Sequence, residues 1–335
     1  VMPAFDKEIA ATDCVNCGQC QIFCPTGAIS IRHNREAVWE ALADPDVRVV
    51  AQVAPAVRVA VGSAFGLPKG KSVMGKIVNV LHRIGFDEVY DTTFSADMTI
   101  MEESAEFLNR LKTGEKLPLL TSCCPSWSMM AKKFFPTMID NISQELTPMV
   151  ATARKVKQDD PDAKVVFIGP CASKKLEAMR RTVRSDVDFV LTFEELDAMF
   201  DAREIEPASF EDEGSLHDAT AAGRGYAVAG GVAGAIEACL KEYYPEVPVH
   251  IEHAESLAEC KKMLALAKAG KLKGCMIEGM ACPGGCVAGG GQPFHGGDYE
   301  KVKARGAGLY AIDANKPKRK SHQNEDIKKL YAEFL

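Results

Sequence analysis

At 335 residues the chain is long enough for one large or two ordinary domains, and its 47% hydrophobic and 26% charged content is that of a globular protein whose core needs no disulfide staples. A net charge of -6 argues against a general nucleic-acid binder, which would gather a basic excess on one face. The longest apolar neighbourhood, VRVVAQVAPAVRVAVGSAFGL from Val47, is broken by Arg48, Pro55 and Arg58, so it falls short of the ~18 uninterrupted apolar residues of a spanning helix; it reads as strand, turn and core helix. With no membrane span and no charged-then-apolar leader, the expected location is cytoplasmic.

Four of the twelve cysteines fall in one early run, Cys14-VN-Cys17-GQ-Cys20-QIF-Cys24-Pro25. This C-x2-C-x2-C-x3-C-P spacing is that of bacterial ferredoxins: one turn of backbone aims three thiolates at corners of an iron-sulfur cubane, and the proline redirects the chain. Zinc more often uses two separated C-x2-C pairs. In two-cluster ferredoxins the fourth cysteine of such a run serves the other cluster, and here there is one run. Either Cys24 completes its own cluster or an upstream motif is missing, and VMPAF, read as the end of a strand, favours the second.

Beyond residue 30, β-rich runs alternate with helical stretches. HNREAVWEALA is expected as helix, VRVVAQV as strand, KSVMGKIVNVLHRIG as helix, FDEVYD as strand and SADMTIMEESAEFLNRLK as a long amphipathic helix. That order predicts an α/β fold with a largely parallel sheet, divided into an iron-sulfur segment over 1–30 and a second domain over 31–335 that includes a helical tail.

Three later strands run into cysteines: LPLLTS into Cys123-Cys124, KVVFIG into Pro170-Cys171, and GCMIEGMA into Cys282 and Cys286. Ligands of open α/β sheets gather beyond the carboxyl ends of strands, so these thiols are expected to converge on one object. Gly284, Gly285 and Gly289 to Gly291 can adopt positive φ and admit that bulky object close to the main chain. Cys239, Cys260 and Cys275 are read as small buried hydrophobes.

TSCCPSW at Thr121 to Trp127, GPCASKKLE at Gly169 to Glu177 and EGMACPGGCVAGGGQP at Glu278 to Pro293 resemble the three signatures of [FeFe]-hydrogenases, and the likeness runs from the ferredoxin segment almost to the C-terminus. The fold that the resemblance implies is an H-cluster domain of two lobes with mainly parallel sheets. By it, Cys124, Cys171, Cys282 and Cys286 hold a [4Fe-4S] cluster, Cys286 also bridges to a diiron unit carrying CO, cyanide and an azadithiolate, and Cys14, Cys17, Cys20 and Cys24 hold an accessory [4Fe-4S] cluster. The reaction implied is reversible conversion of 2H+ and 2e- to H2. A proton route is implied through Cys123, Glu103, Ser143, Glu106 and Arg110, of which 103, 106 and 110 share one helix face; read without the family, Glu106 and Arg110 are an i,i+4 surface pair. Lys174 is expected to face a cyanide as a compensating charge, Met280 to line the diiron pocket, and the Ala54-Pro55 turn to approach the other cyanide.

Three positions depart from the family pattern: Gly169 stands where many members have Met, Ala56 where they have Ser, and Met149 where they have Gln. Each is expected to remove contact or hydrogen bonding around the diiron ligands, as in a divergent subgroup. A hydrogen sensor usually loses the relay thiol, and a hydrogenase-like iron-sulfur assembly protein binds cubanes without the diiron unit. The thiol Cys123 and an intact third signature favour catalysis over both. The partners implied are a ferredoxin or other one-electron protein and the H-cluster maturation proteins. The basic run Lys316 to Lys320 is read as a solvated face before a docking site.

Overall fold

The computed structural model describes residues 4–183, 186–211, 219–293, 296–313 and 320–334. Its strands form two sheets in which every pairing is parallel. The first takes β1 (Val49–Val53), β2 (Glu88–Asp91), β4 (Lys164–Ile168) and β5 (Phe189–Leu191) in the order β2-β1-β4-β5. The second takes β3 (Leu119–Leu120), β6 (His250–Glu255) and β7 (Cys275–Met280) in the order β3-β7-β6. The expected α/β fold with parallel sheets is therefore observed.

A central parallel strand is covered on both faces, and β1 is accordingly VVAQV, buried throughout. Its one polar residue, Gln52, is satisfied: Nε2 donates to Met149 O at 3.0 Å and Oε1 accepts from Thr92 Oγ1 at 3.4 Å. In the second sheet, alternate residues feed different cores. Leu120 and Ile277 pack with Trp127 and Met130, whereas Leu119 and Met276 pack with Ile100 and Phe107. β7 passes the Trp127 indole bare: a Cβ at Gly279 would lie 2.1 Å from that ring.

The long helix Thr92–Thr113 begins at Asp91, whose side chain accepts from Thr93 N, and ends at Gly114 with φ 73°. LPLLTS pairs over only two residues. Pro118 has no N–H to give a ladder, and beyond the strand a bond from Thr121 N to Ile277 O at 3.1 Å continues the approach. The reading of VMPAF as a strand end is corrected for its described part: Ala4–Asp6 form a 3-10 turn in which Phe5 takes φ 63°, incompatible with extended pairing. Lys316 to Arg319 of the basic run lie outside the described residues, and Lys320 pairs with Glu242.

The tail is pinned by one buried carboxylate. Asp97 accepts from Thr220 N (2.8 Å), Thr220 Oγ1 (2.5 Å), Ser321 Oγ (2.6 Å) and Asn324 Nδ2 (3.3 Å). Among the described residues no helix is long and apolar enough to cross a membrane.

Candidate functional site

Cys123 and Cys124 follow β3, Cys171 follows β4, and Cys282 and Cys286 follow β7, so the thiols meet where the carboxyl ends of the two sheets face each other. One cavity is lined by all five, and by Ala54, Pro55, Lys174 and Met280.

Cys124 is the N-cap of the helix Pro125–Phe134 and Cys171 that of Ala172–Ala178. The first N–H groups of a helix have no partner within it, and those of Ser126 and Trp127, together with Ala281 N–H, act on the Cys124 sulfur. Burial nonetheless pushes the Cys124 thiol up to about 11, with the neighbouring Cys171 adding to it. Cys282 and Cys286 are raised further, by burial first and then by Cys171 and Cys124. Thiols so crowded and so dry cannot ionise together unaided. An iron cluster that shares their charge fits this donor set. Among the described residues no three of His, Cys, Asp or Glu are spaced to hold a single ion, whereas a cubane takes thiolates held apart at separate corners.

Cys123, beside Cys124 in the chain, belongs to another core, with Ile100, Tyr226 and Met280. Its Sγ lies 3.9 Å from Thr121 Oγ1. Glu103, fully buried, is pushed up to about 8 by desolvation, against which Ser122 N and the Ser143 side chain act; Oε1 accepts from Ser122 N at 3.4 Å. Ser143 is fixed by its own N–H, which donates to Leu120 O at 2.7 Å, and its hydroxyl donates to Glu106 Oε2 at 2.6 Å. Arg110 holds Glu106 Oε1 at 2.5 Å and also donates to Lys116 O and Asn141 O. The pair that would otherwise read as a surface pair is nearly buried, at 7% and 13% side-chain exposure. Among the described residues no hydrogen bond joins Cys123 to Glu103.

Lys174 does not stand alone as a compensating charge. Its Nζ donates to Glu177 Oε2 at 2.6 Å, and Glu177 Oε1 accepts from Thr147 Oγ1 at 2.7 Å. The Ala54-Pro55 turn is held from behind: Arg58 Nε donates to Pro55 O at 3.2 Å while its guanidinium pairs with the buried Asp91 at 2.7 Å. Ala56 and Met149 line the cavity. A Cβ at Gly169 would lie 2.5 Å from the Phe167 ring, and Phe167 itself lines the cavity.

Sequence reasoning missed two groups. Tyr226 lines the cavity with a buried hydroxyl, and its phenol is raised by burial and then by Cys123. Glu278, fully buried, accepts from Ala233 N (2.7 Å) and Gly230 N (3.2 Å) at the start of the helix Gly231–Tyr243, and desolvation lifts it to about 7. Glu278 opens the third signature, so its position was visible; only its burial was not. Cys239, Cys260 and Cys275 are buried in cores as expected.

The glycines do another job than the one expected. Gly284 and Gly285 have φ of 84° and 91°, but Gly289 to Gly291 do not take positive φ. A Cβ at Gly290 would lie 2.5 Å from the Gly18 carbonyl carbon, so what approaches is the backbone of the N-terminal cysteine run. That run is also clamped by Lys133, whose Nζ donates to Thr12 O (2.9 Å) and Cys14 O (2.8 Å). Cys17 consequently lines the same cavity as Cys124 and Cys286. Cys17 feels Cys20 and Cys14 as neighbours. Cys14 Sγ accepts from Asn16 N at 3.3 Å. The Cys24 thiol is drawn down to about 7 by the Thr26 hydroxyl and the N–H groups of Thr26 and Ile29. Such N–H donors suit cluster-bound sulfur.

Three family models match in succession: a 4Fe-4S binding domain over residues 8–30, the C-terminal domain of the iron only hydrogenase large subunit over 47–290, and the iron hydrogenase small subunit over 299–335. The chain is 41% identical to the NADP-reducing hydrogenase subunit HndD of Solidesulfovibrio fructosivorans over its whole length, and spans 65% of that relative. It is 27% identical to cytosolic iron-sulfur assembly component 3 of Bos taurus, over 85% of this chain and 72% of that protein. Its fold matches a variant of the apo [FeFe]-hydrogenase HydA1 from Chlamydomonas reinhardtii with a TM-score of 0.77 and 29% identity, covering 90% of this chain and 94% of the other.

Proposed function

The chain belongs to the iron-only, or [FeFe], hydrogenase family, and from that membership we propose that it catalyses reversible interconversion of protons and electrons with H2. The observation that carries this reading is that a fifth thiol, Cys123, lines the same cavity as the four thiols Cys124, Cys171, Cys282 and Cys286. In this reading those four hold the H-cluster, a [4Fe-4S] cubane linked to a diiron unit with CO, cyanide and azadithiolate, and Cys14, Cys17, Cys20 and Cys24 hold an accessory [4Fe-4S] cluster. The bound group supplies an iron site for hydrogen and a store for electrons.

The protein's own residues do the rest. Cys123 carries a proton between the cavity and Glu103, and Ser143, Glu106 and Arg110 continue the route outward, with Arg110 fixing the Glu106 carboxylate. Lys174, kept charged by Glu177, and the Ala54-Pro55 turn, braced by Arg58, orient the diatomic ligands, and Met280 covers the pocket. Electrons arrive from a ferredoxin or other redox protein through the segment 1–30, docked on the domain 31–335, and maturation proteins insert the diiron unit. A cytoplasmic location is part of the proposal.

The second reading, a cubane-binding assembly protein, is favoured by the likeness to cytosolic iron-sulfur assembly component 3. Infrared spectroscopy after maturation separates the two. CO and cyanide bands together with H2 evolution support catalysis; a fully matured sample with cubanes and no such bands overturns it.

A further inference from the structure

The side chain of Gln19, between Cys17 and Cys20, leaves the N-terminal run and enters the neighbouring site. Its Nε2 lies 3.2 Å from Cys282 Sγ and 2.9 Å from Ala288 O. The carbonyl of Ala288 can only accept, so the atom facing it is the amide nitrogen, and that NH2 group has a second hydrogen for the sulfur. The backbone around it cannot shift away. Gly18, at φ 77°, caps the short helix Gln19–Phe23, and a Cβ on it would lie 2.7 Å from Ala172 Cβ and 3.3 Å from Gly290 Cα.

We infer that Gln19 is a redox-positioning residue: its amide hydrogen bond to Cys282 raises the reduction potential of the cubane that Cys282 helps to hold, and so favours passage of an electron from the accessory cluster onto it. The inference rests on the reading of Cys282 as a cluster ligand given above. A donor aimed at a ligand sulfur stabilises the added negative charge of the reduced state more than the oxidised one, and hydrogen bonds to sulfur are among the protein's means of setting cluster potentials. The electron balance is simple: a one-electron donor protein reduces the accessory cluster, which is reoxidised as the second cubane gains the same electron. No bond is made or broken. Cys14 and Cys24 take their donors from backbone N–H groups or a hydroxyl within their own segment. Cys282 takes this one from the other cluster's loop, so the two sites are coupled by a single side chain.

The test uses the full chain carrying both cubanes without the diiron unit, titrated with reductant and followed by electron paramagnetic resonance. Gln19→Leu and Gln19→Met keep the bulk and remove the donor. In both, the ratio of reduced to oxidised catalytic cubane at a fixed potential should fall about tenfold, which is about 59 mV for a one-electron couple, while the accessory cluster titrates as in the parent. An unchanged catalytic potential in both variants, with the parent's iron content, overturns the inference; so does a shift of both clusters together, which would mean a general loosening. A parent chain that shows only one cubane, or in which both cubane signals survive Cys282→Ala unchanged, overturns the ligand reading beneath it and is recognised before any Gln19 variant is made.

Discussion

Glu103 offers the sharpest separation of chemistry from structure, because its carboxyl makes little contact that folding needs. Its one bond within 3.5 Å among the described residues is long, from Ser122 N at 3.4 Å. Its folded pKa stands at about 8 against an ordinary 4.5, chiefly through desolvation. The folded state therefore binds more protons than the unfolded chain between those values, and stability falls as pH rises across that window. The contribution is fully present below about 4.5 and lost through 8, and at about 1.36 kcal/mol per unit the penalty at pH 8 comes to roughly 4 kcal/mol. Glu103→Gln keeps the shape and removes the ionisation. Relative to the parent with the same cluster content, denaturant unfolding should show a difference under about 1 kcal/mol at pH 5 and a gain of about 4 kcal/mol at pH 8. Turnover should fall by about two or more orders of magnitude, the scale of a lost acid/base group. A pH-independent difference, or a Gln variant that evolves H2 at the parent rate, would refute the reasoning.

Substitutions at three further residues, two near the cavity and one distant, have equally definite outcomes. Cys123→Ala should keep the CO and cyanide infrared bands while turnover drops by about two or more orders of magnitude, with Cys123→Asp recovering part; Cys124→Ala should not assemble the catalytic cubane at all, and a full complement of iron in it would exclude the ligand role. Asp97→Ala leaves the donors of Thr220, Ser321 and Asn324 buried without their acceptor, which should cost about 3 to 5 kcal/mol and expose the tail to limited proteolysis; a loss under about 1 kcal/mol would show that the tail is held elsewhere.

The parallel strands were legible because buried parallel strands are nearly continuous apolar runs, as in VVAQV and KVVFI, and because the helices between them carry their own periodicity. The proposed proton route was half legible. Spacing put positions 103, 106 and 110 on one face of Thr92–Thr113, but Ser143 comes from a loop that long-range contacts, the Leu120–Ile142 bridge among them, bring to β3. Tyr226 and Glu278 reach the site by tertiary packing, which no local pattern encodes. Local spacing tells which residues share a face; it does not tell which face is dry, and dryness is what lifts the Glu103 and Glu278 carboxyls.

Glycine shows where composition misdirected and why. A loop of Gly289 to Gly291 beside cysteines suggests room for a large inorganic group, since the absence of a side chain means something comes close. The structure shows that what comes close is protein: Pro170 O would lie 2.3 Å from a Cβ on Gly289, the Gly18 carbonyl carbon 2.5 Å from one on Gly290, and the Thr192 side-chain Cγ2 2.7 Å from one on Gly291. Thin backbone on both sides of the Gly18 and Gly290 contact is what allows Cys17 into the cavity of the other four thiols and lets Gln19 span to Cys282. A side chain at either glycine would push the two cysteine sites apart before it touched any metal. The glycines of the third signature thus set the distance between the two sites, while the cysteines set what each site holds.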